Sequence, residues 1–117
     1  MHHLLILNDV PYGSENSYNG LRLAHALSQA AQDARVTVFL LGDAVGCARA
    51  GQQTPEGHYN RGHMLHRVSS AGGQVLTCGS CMEARGLQDD DLVAGAAHST
   101  NAMLTPAVQA ADKVLVF

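Results

Sequence analysis

The sequence predicts a three-layer α/β/α sandwich built on a parallel sheet, and three observations carry that reading. Near-continuous apolar runs occur at His3–Asn8, Arg35–Leu41 and Lys113–Phe117, as strands show when helices cover both of their faces. Between them lie segments whose apolar residues recur at helical spacing. The links are mostly short, and strands alternating with helices through short links give a parallel sheet with helical crossovers. A chain of 117 residues makes one domain, residues 1–117. A chain of that size withdraws roughly two-thirds of its unfolded surface from water, enough for a core without disulfide staples.

His3–Asn8 is the first strand. Ser14–Gln32 follows as a helix, with Gly20, Leu23, Ala24, Leu27, Ala30 and Ala31 on one stripe. Ser14 is its N-cap candidate, and Glu15 suits the positive first turn. Arg35–Leu41 is the second strand. The long connection Asp43–Tyr59 contains Gly46, Cys47, Gly51, Pro55 and Gly57. It is expected to form a short helix near Ala44–Ala50 and then a flexible tail. Asn60–Ala71 reads as a helix capped by Asn60, burying Met64, Leu65, Val68 and Ala71, and stopped by Gly72-Gly73. Gln74–Cys78 is the third strand, and Ala96–Ser99 is a weaker, shorter one. Thr100–Ala111 places Met103, Leu104, Ala107, Val108 and Ala111 together, with Pro106 inside the pattern weakening the helix or delaying its start. Lys113–Phe117 closes the chain.

Right-handed crossovers put every strand's carboxyl end on one edge of such a sheet. Three loops then gather there: Asn8–Ser14, Gly42–Val45 and Cys78–Cys81. The amino end of the Asn60 helix points to the same edge and brings His58, Tyr59 and Asn60 with it. Cys78 ends an apolar strand where a parallel sheet places its chemistry. A helix starting after it would favour the thiolate through free N–H groups and a positive dipole end.

Composition narrows the field. A formal net charge of −3 without a basic cluster argues against nucleic acid. No apolar run approaches a membrane span, and Leu4-Leu5-Ile6-Leu7 is too short for a signal peptide. Three cysteines without a secreted-scaffold spacing point to a cytoplasmic protein with reduced thiols. Only 15% of residues are charged, too few to cover a monomer of this size, so surface buried between subunits is expected. Asn8–Ser14 has one glycine and a proline and lacks the glycine-rich phosphate cradle, so neither nucleotide nor flavin is expected. A single Cys78-x-x-Cys81 pair without a second pair does not make a zinc centre. His63 and His66 fall on the polar side of their helix, away from the cysteines. No cofactor is expected.

Collinear pieces of the chain resemble the DsrE/DsrF-like proteins, and within them the small stand-alone YchN-like proteins. The pieces are Pro11-Tyr12-Gly13-Ser14-Glu15, Leu21-Arg22-Leu23-Ala24, Val38-Phe39-Leu40 with Asp43-Ala44-Val45, and Gly57-His58-Tyr59-Asn60. Cys78-x-x-Cys81 with Arg85-Gly86, and Ala111-Asp112-Lys113-Val114-Leu115, complete the set. The resemblance implies a flavodoxin-like layer with a five-stranded, mainly parallel sheet and assembly into trimers or hexamers. It also implies a persulfide on a cysteine after the third strand, with an Arg-Gly a few residues later. Cys78 matches that cysteine, and Arg85-Gly86 match the Arg-Gly.

The residues expected to work together are Cys78 as nucleophile, Cys81 as a resolving thiol within one helical turn, and Arg85 or the helix amino end as stabiliser of the anion. Tyr12, Ser14, Asp43, Tyr59 and Asn60 are expected to line the pocket, with capping or subunit packing as their alternative roles. Cys47 is expected to take no part. The chain is thus expected to be a cytoplasmic homo-oligomer, a hexamer, that carries sulfane sulfur on Cys78 and exchanges it with a donor or acceptor protein. The other reading is a non-catalytic oligomeric binding protein with a small-ligand or partner cleft near Cys78.

Overall fold

The structure, a computed structural model, describes residues 1–55 and 59–117. Five strands, β1 (His2–Leu7), β2 (Arg35–Leu40), β3 (Gln74–Cys78), β4 (Ala96–Ser99) and β5 (Lys113–Val116), form one sheet in the order β4-β3-β2-β1-β5. Every pairing is parallel. The helices are α1 (Asn16–Ala30), α2 (Arg61–Ser70), α3 (Gly79–Glu83) and α4 (Asn101–Ala110). Short 3-10 segments occupy Gly42–Ala48 and Asp89–Asp91. The chain steps one way from β1 to β4 and then returns to the far side of β1. Right-handed crossovers therefore place α1 and α2 on one face and α4 on the other, which completes the three layers.

The central strands are buried because both faces are covered: Leu4, Leu5, Leu7, Val38, Phe39 and Leu40 are wholly inaccessible. The stripe on α1 differs from the expected one. Ser17, Gly20, Leu21 and Ala24 face inward, while Leu23 is exposed. Gly20 lies over Leu7 and the Phe117 ring, and this close approach sets the rotation of the helix. α1 begins at Asn16, and its N-cap residue is Glu15, whose side chain makes no capping bond, rather than Ser14. Ser14 Oγ accepts from the Asn16 N–H at 3.3 Å and donates to Asp9, whose carboxyl is held low by Ser14 and the Val10 N–H.

Asn60 caps α2 as expected, its side chain accepting from the His63 N–H at 3.1 Å. Gly72 ends that helix with φ near +93°, a left-handed turn that suits glycine. Pro106 sits within α4 without breaking it, and no residue of α4 is fully buried. The Asp43–Tyr59 connection winds as a 3-10 segment, with Ala44, Val45, Cys47 and Ala48 packed into the core. Residues 56–58, including His58 and part of the expected flexible tail, lie outside the described residues.

Candidate functional site at Cys78

Val75, Leu76 and Thr77 hold β3 between β2 and β4 and deliver Cys78 to the sheet's carboxyl edge. Cys78 takes the N-cap position of α3 with extended backbone. The residue is only 1% exposed. Burial pushes its thiol up. Hydrogen bonds from the Ser80 and Cys81 side chains and from the N–H groups of the same two residues outweigh burial, and the thiol lies below its ordinary value. Ser80 Oγ stands 3.3 Å from Cys78 Sγ. A short helix thus turns free N–H groups and two side-chain donors onto one sulfur, an arrangement that favours thiolate.

Cys81, on the first turn of α3, lies in hydrogen-bonding reach of Cys78 and is half-buried. Arg85 points elsewhere. Its Nε and Nη2 donate to Asp43 Oδ1 at 3.0 and 2.9 Å, and its Nη1 donates to the Cys81 carbonyl at 3.0 Å. Arg85 therefore ties the loop after β2 to the end of α3, and anion stabilisation falls to the helix start.

Tyr12, Tyr59 and Asn60 gather around a different residue. Arg61 is fully buried, and its guanidinium lies 4.8, 4.9 and 4.2 Å from the ring centroids of Tyr12, Tyr18 and Tyr59. Nη1 donates to the Tyr59 carbonyl at 2.7 Å, while Nε and Nη2 have no hydrogen-bond acceptor among the described residues. The Tyr12 hydroxyl donates to Gln52 and accepts from the Arg61 N–H at 3.1 Å. The Tyr59 hydroxyl donates to Glu15 at 2.6 Å, and Asn60 Nδ2 donates to the Gln52 carbonyl at 2.6 Å. Among the described hydrogen bonds and ring contacts, none joins this cluster to Cys78. Ser14 sits with Asp9 at the end of β1, apart from both groups.

Sequence reasoning left Ser80, Asp89, His98 and Arg61 unassigned. His98 stands on β4 in register with Thr77, and its Nδ1 lies 2.6 Å from Asp89 Oδ1. A histidine at the end of the weakest strand becomes informative only once β4 is known to lie beside β3. Arg61, at the first position of an amphipathic helix, reads as a solvated charge until the tyrosines are placed. Among the described residues, no three His, Cys, Asp or Glu side chains converge to hold a metal. Cys47 is buried, and burial pushes its thiol up to about 11 against smaller opposing effects of Ser17 and Arg61.

A parallel α/β/α sandwich with a hydrogen-bonded thiol closing its third strand defines a small α/β protein with a cysteine at the sheet's carboxyl edge. The chain belongs to the DsrE/DsrF-like family, whose model matches residues 1–117. It is 36% identical to Protein YchN of Escherichia coli K12 over 97% of both chains. It is 34% identical over the full length of both chains to the uncharacterized protein MJ0989 of Methanocaldococcus jannaschii. The crystal structure of the E. coli YchN protein superposes with a TM-score of 0.91 over 100% of both chains. MTH1491 of Methanobacterium thermoautotrophicum, at 12% identity and a TM-score of 0.76 over 97% of both chains, shares the fold.

Proposed function

We propose that this protein is a cytoplasmic sulfur-relay protein that carries sulfane sulfur as a persulfide on Cys78. The DsrE/DsrF-like family is linked to sulfur relay. The observation that supports the reading most is the convergence of Ser80 and Cys81 donors on the Cys78 sulfur. The thiolate attacks the outer sulfur of a donor R–S–SH, forming Cys78–S–SH, while the S–S bond breaks and its electron pair leaves with R–S⁻. Cys81 can then attack the inner sulfur, closing a Cys78–Cys81 disulfide and releasing hydrosulfide. The partners are a donor or acceptor protein and further copies of this chain, assembled as a hexamer.

Intact mass spectrometry after incubation with a sulfane-sulfur donor tests the reading. One added sulfur atom is expected, lost in Cys78→Ser and kept in Cys47→Ser. An adduct that persists in Cys78→Ser would move the chemistry to another thiol. The near-complete burial of Cys78 favours a second reading, a binding protein whose cleft beside Cys78 holds a small ligand or partner without covalent chemistry. That reading predicts no added sulfur at all.

A further inference from the structure

His98 has no part in the carrier chemistry above, yet its placement is specific. A carboxylate only accepts hydrogen bonds, so Asp89 fixes the proton on Nδ1 and leaves the lone pair of the neutral ring on Nε2. Nε2 packs on Gly79 so closely that a Cβ there would stand 2.2 Å away. The missing side chain at position 79 is what gives the imidazole its place. Gly79, Ser80, Glu83, His98, Ser99 and Thr100 are among the residues that line one cleft of about 260 Å³. Ser80 belongs to both sites, since it lines this cleft while its hydroxyl stands 3.3 Å from the Cys78 sulfur.

We infer that this cleft is the leaving-group site for Cys78: it seats the small alkyl-thiol portion of a disulfide or persulfide, and His98, held by Asp89, exchanges the proton of that thiol. The inference rests on Cys78 being the nucleophile. In the forward step the Cys78 thiolate forms a new S–S bond, the substrate S–S bond breaks, and the electron pair leaves on the alkyl sulfur. The protonated imidazole gives its Nε2 proton to that thiolate and becomes neutral. In the reverse step neutral Nε2 takes the proton of an entering thiol, whose thiolate then attacks the sulfur bonded to Cys78. No external oxidant or reductant is needed.

Two electrophiles separate this role from a structural one. Iodoacetamide expels iodide, which needs no proton, whereas 2-hydroxyethyl disulfide expels a basic alkyl thiolate. With the reduced full-length protein and modification mapped to Cys78, His98→Gln is expected to slow the disulfide reaction on the order of a hundred-fold, the low end for a positioned acid. Its iodoacetamide rate is expected to match the wild type. Asp89→Asn, which keeps an acceptor for Nδ1 without the charge, falls between. Equal slowing with both reagents would mean that His98 only shapes Cys78, and no slowing with either would leave the cleft without a role; both results overturn the inference. Selective slowing of the disulfide reaction in His98→Gln, alongside a wild type that takes up no sulfane sulfur, would sink the carrier reading and leave the leaving-group site standing.

Discussion

At Cys78 burial and hydrogen bonding pull in opposite directions, and hydrogen bonding wins. A thiol held low in the fold adds stability above the ordinary thiol value of ~8.5 and withdraws it as pH falls through its own lower value. Iodoacetamide labelling of Cys78 should therefore show a pH midpoint below that of a free thiol, and Ser80→Ala should move it upward. A midpoint unmoved by Ser80→Ala would remove the hydroxyl from the explanation. Cys47 provides the contrast. Its thiol, pushed up to about 11, favours the fold below ~8.5 and loses that contribution as pH rises. It should stay unlabelled until the protein unfolds. Arg61 poses the opposite problem, a buried cation without a carboxylate among its described contacts. Desolvating an ion costs several kcal/mol, while each desolvated cation–π contact returns about 2 kcal/mol, so three rings come close to balancing it. Arg61→Met, which keeps volume, should change stability by no more than about 1 kcal/mol in urea unfolding. Arg61→Ala, which leaves a hole among Tyr12, Tyr18 and Tyr59, should cost about 3 kcal/mol.

Among the elements, α1 shows how close packing overrides local preference. Alanine is a better helix former than glycine by about 1 kcal/mol, so Gly20 looks replaceable in isolation. A Cβ at that position would stand 2.5 Å from Leu7 Cδ2 and 3.2 Å from the Phe117 ring. Leu7 is fully buried and has no room to yield. Gly20→Ala should therefore lower stability by about 1–2 kcal/mol in spite of its helix propensity, read as a reduced urea midpoint at unchanged slope. The same contacts explain why the sequence located α1 but turned it wrongly, placing Leu23 inside where Leu21 belongs. The strands were legible because burial on both faces writes itself as continuous apolar runs, and β3 and β4 fall where their composition places them. The position of Cys78 was legible for the same reason. The partners of Arg85, the tyrosine cage and the His98–Asp89 pair were not, because each joins residues from elements whose adjacency depends on strand order.

For the whole molecule, the distribution of exposed apolar surface is uneven. β5 forms one edge of the sheet, and Val114 and Val116, which share one face of that strand, are 40% and 65% exposed. α4 adds Met103 and Val108 to the exposed apolar residues. The first half of the long connection after β2 is packed inside its own chain through Ala44, Val45, Cys47 and Ala48. The exposed apolar surface offered to a partner lies at the β5 edge. An unpaired edge strand with exposed valines invites association, and a chain with 15% charged residues has few charges to discourage it. A homo-oligomer that covers β5 meets both conditions. Light scattering at micromolar concentration should give a mass well above one chain, with a hexamer as the expected state. Val116→Glu, which sets a carboxylate on the exposed edge without touching the core, should shift that mass toward the monomer while far-ultraviolet circular dichroism stays the same. A wild-type protein that scatters as a monomer would remove the assembly and leave Val114 and Val116 in water.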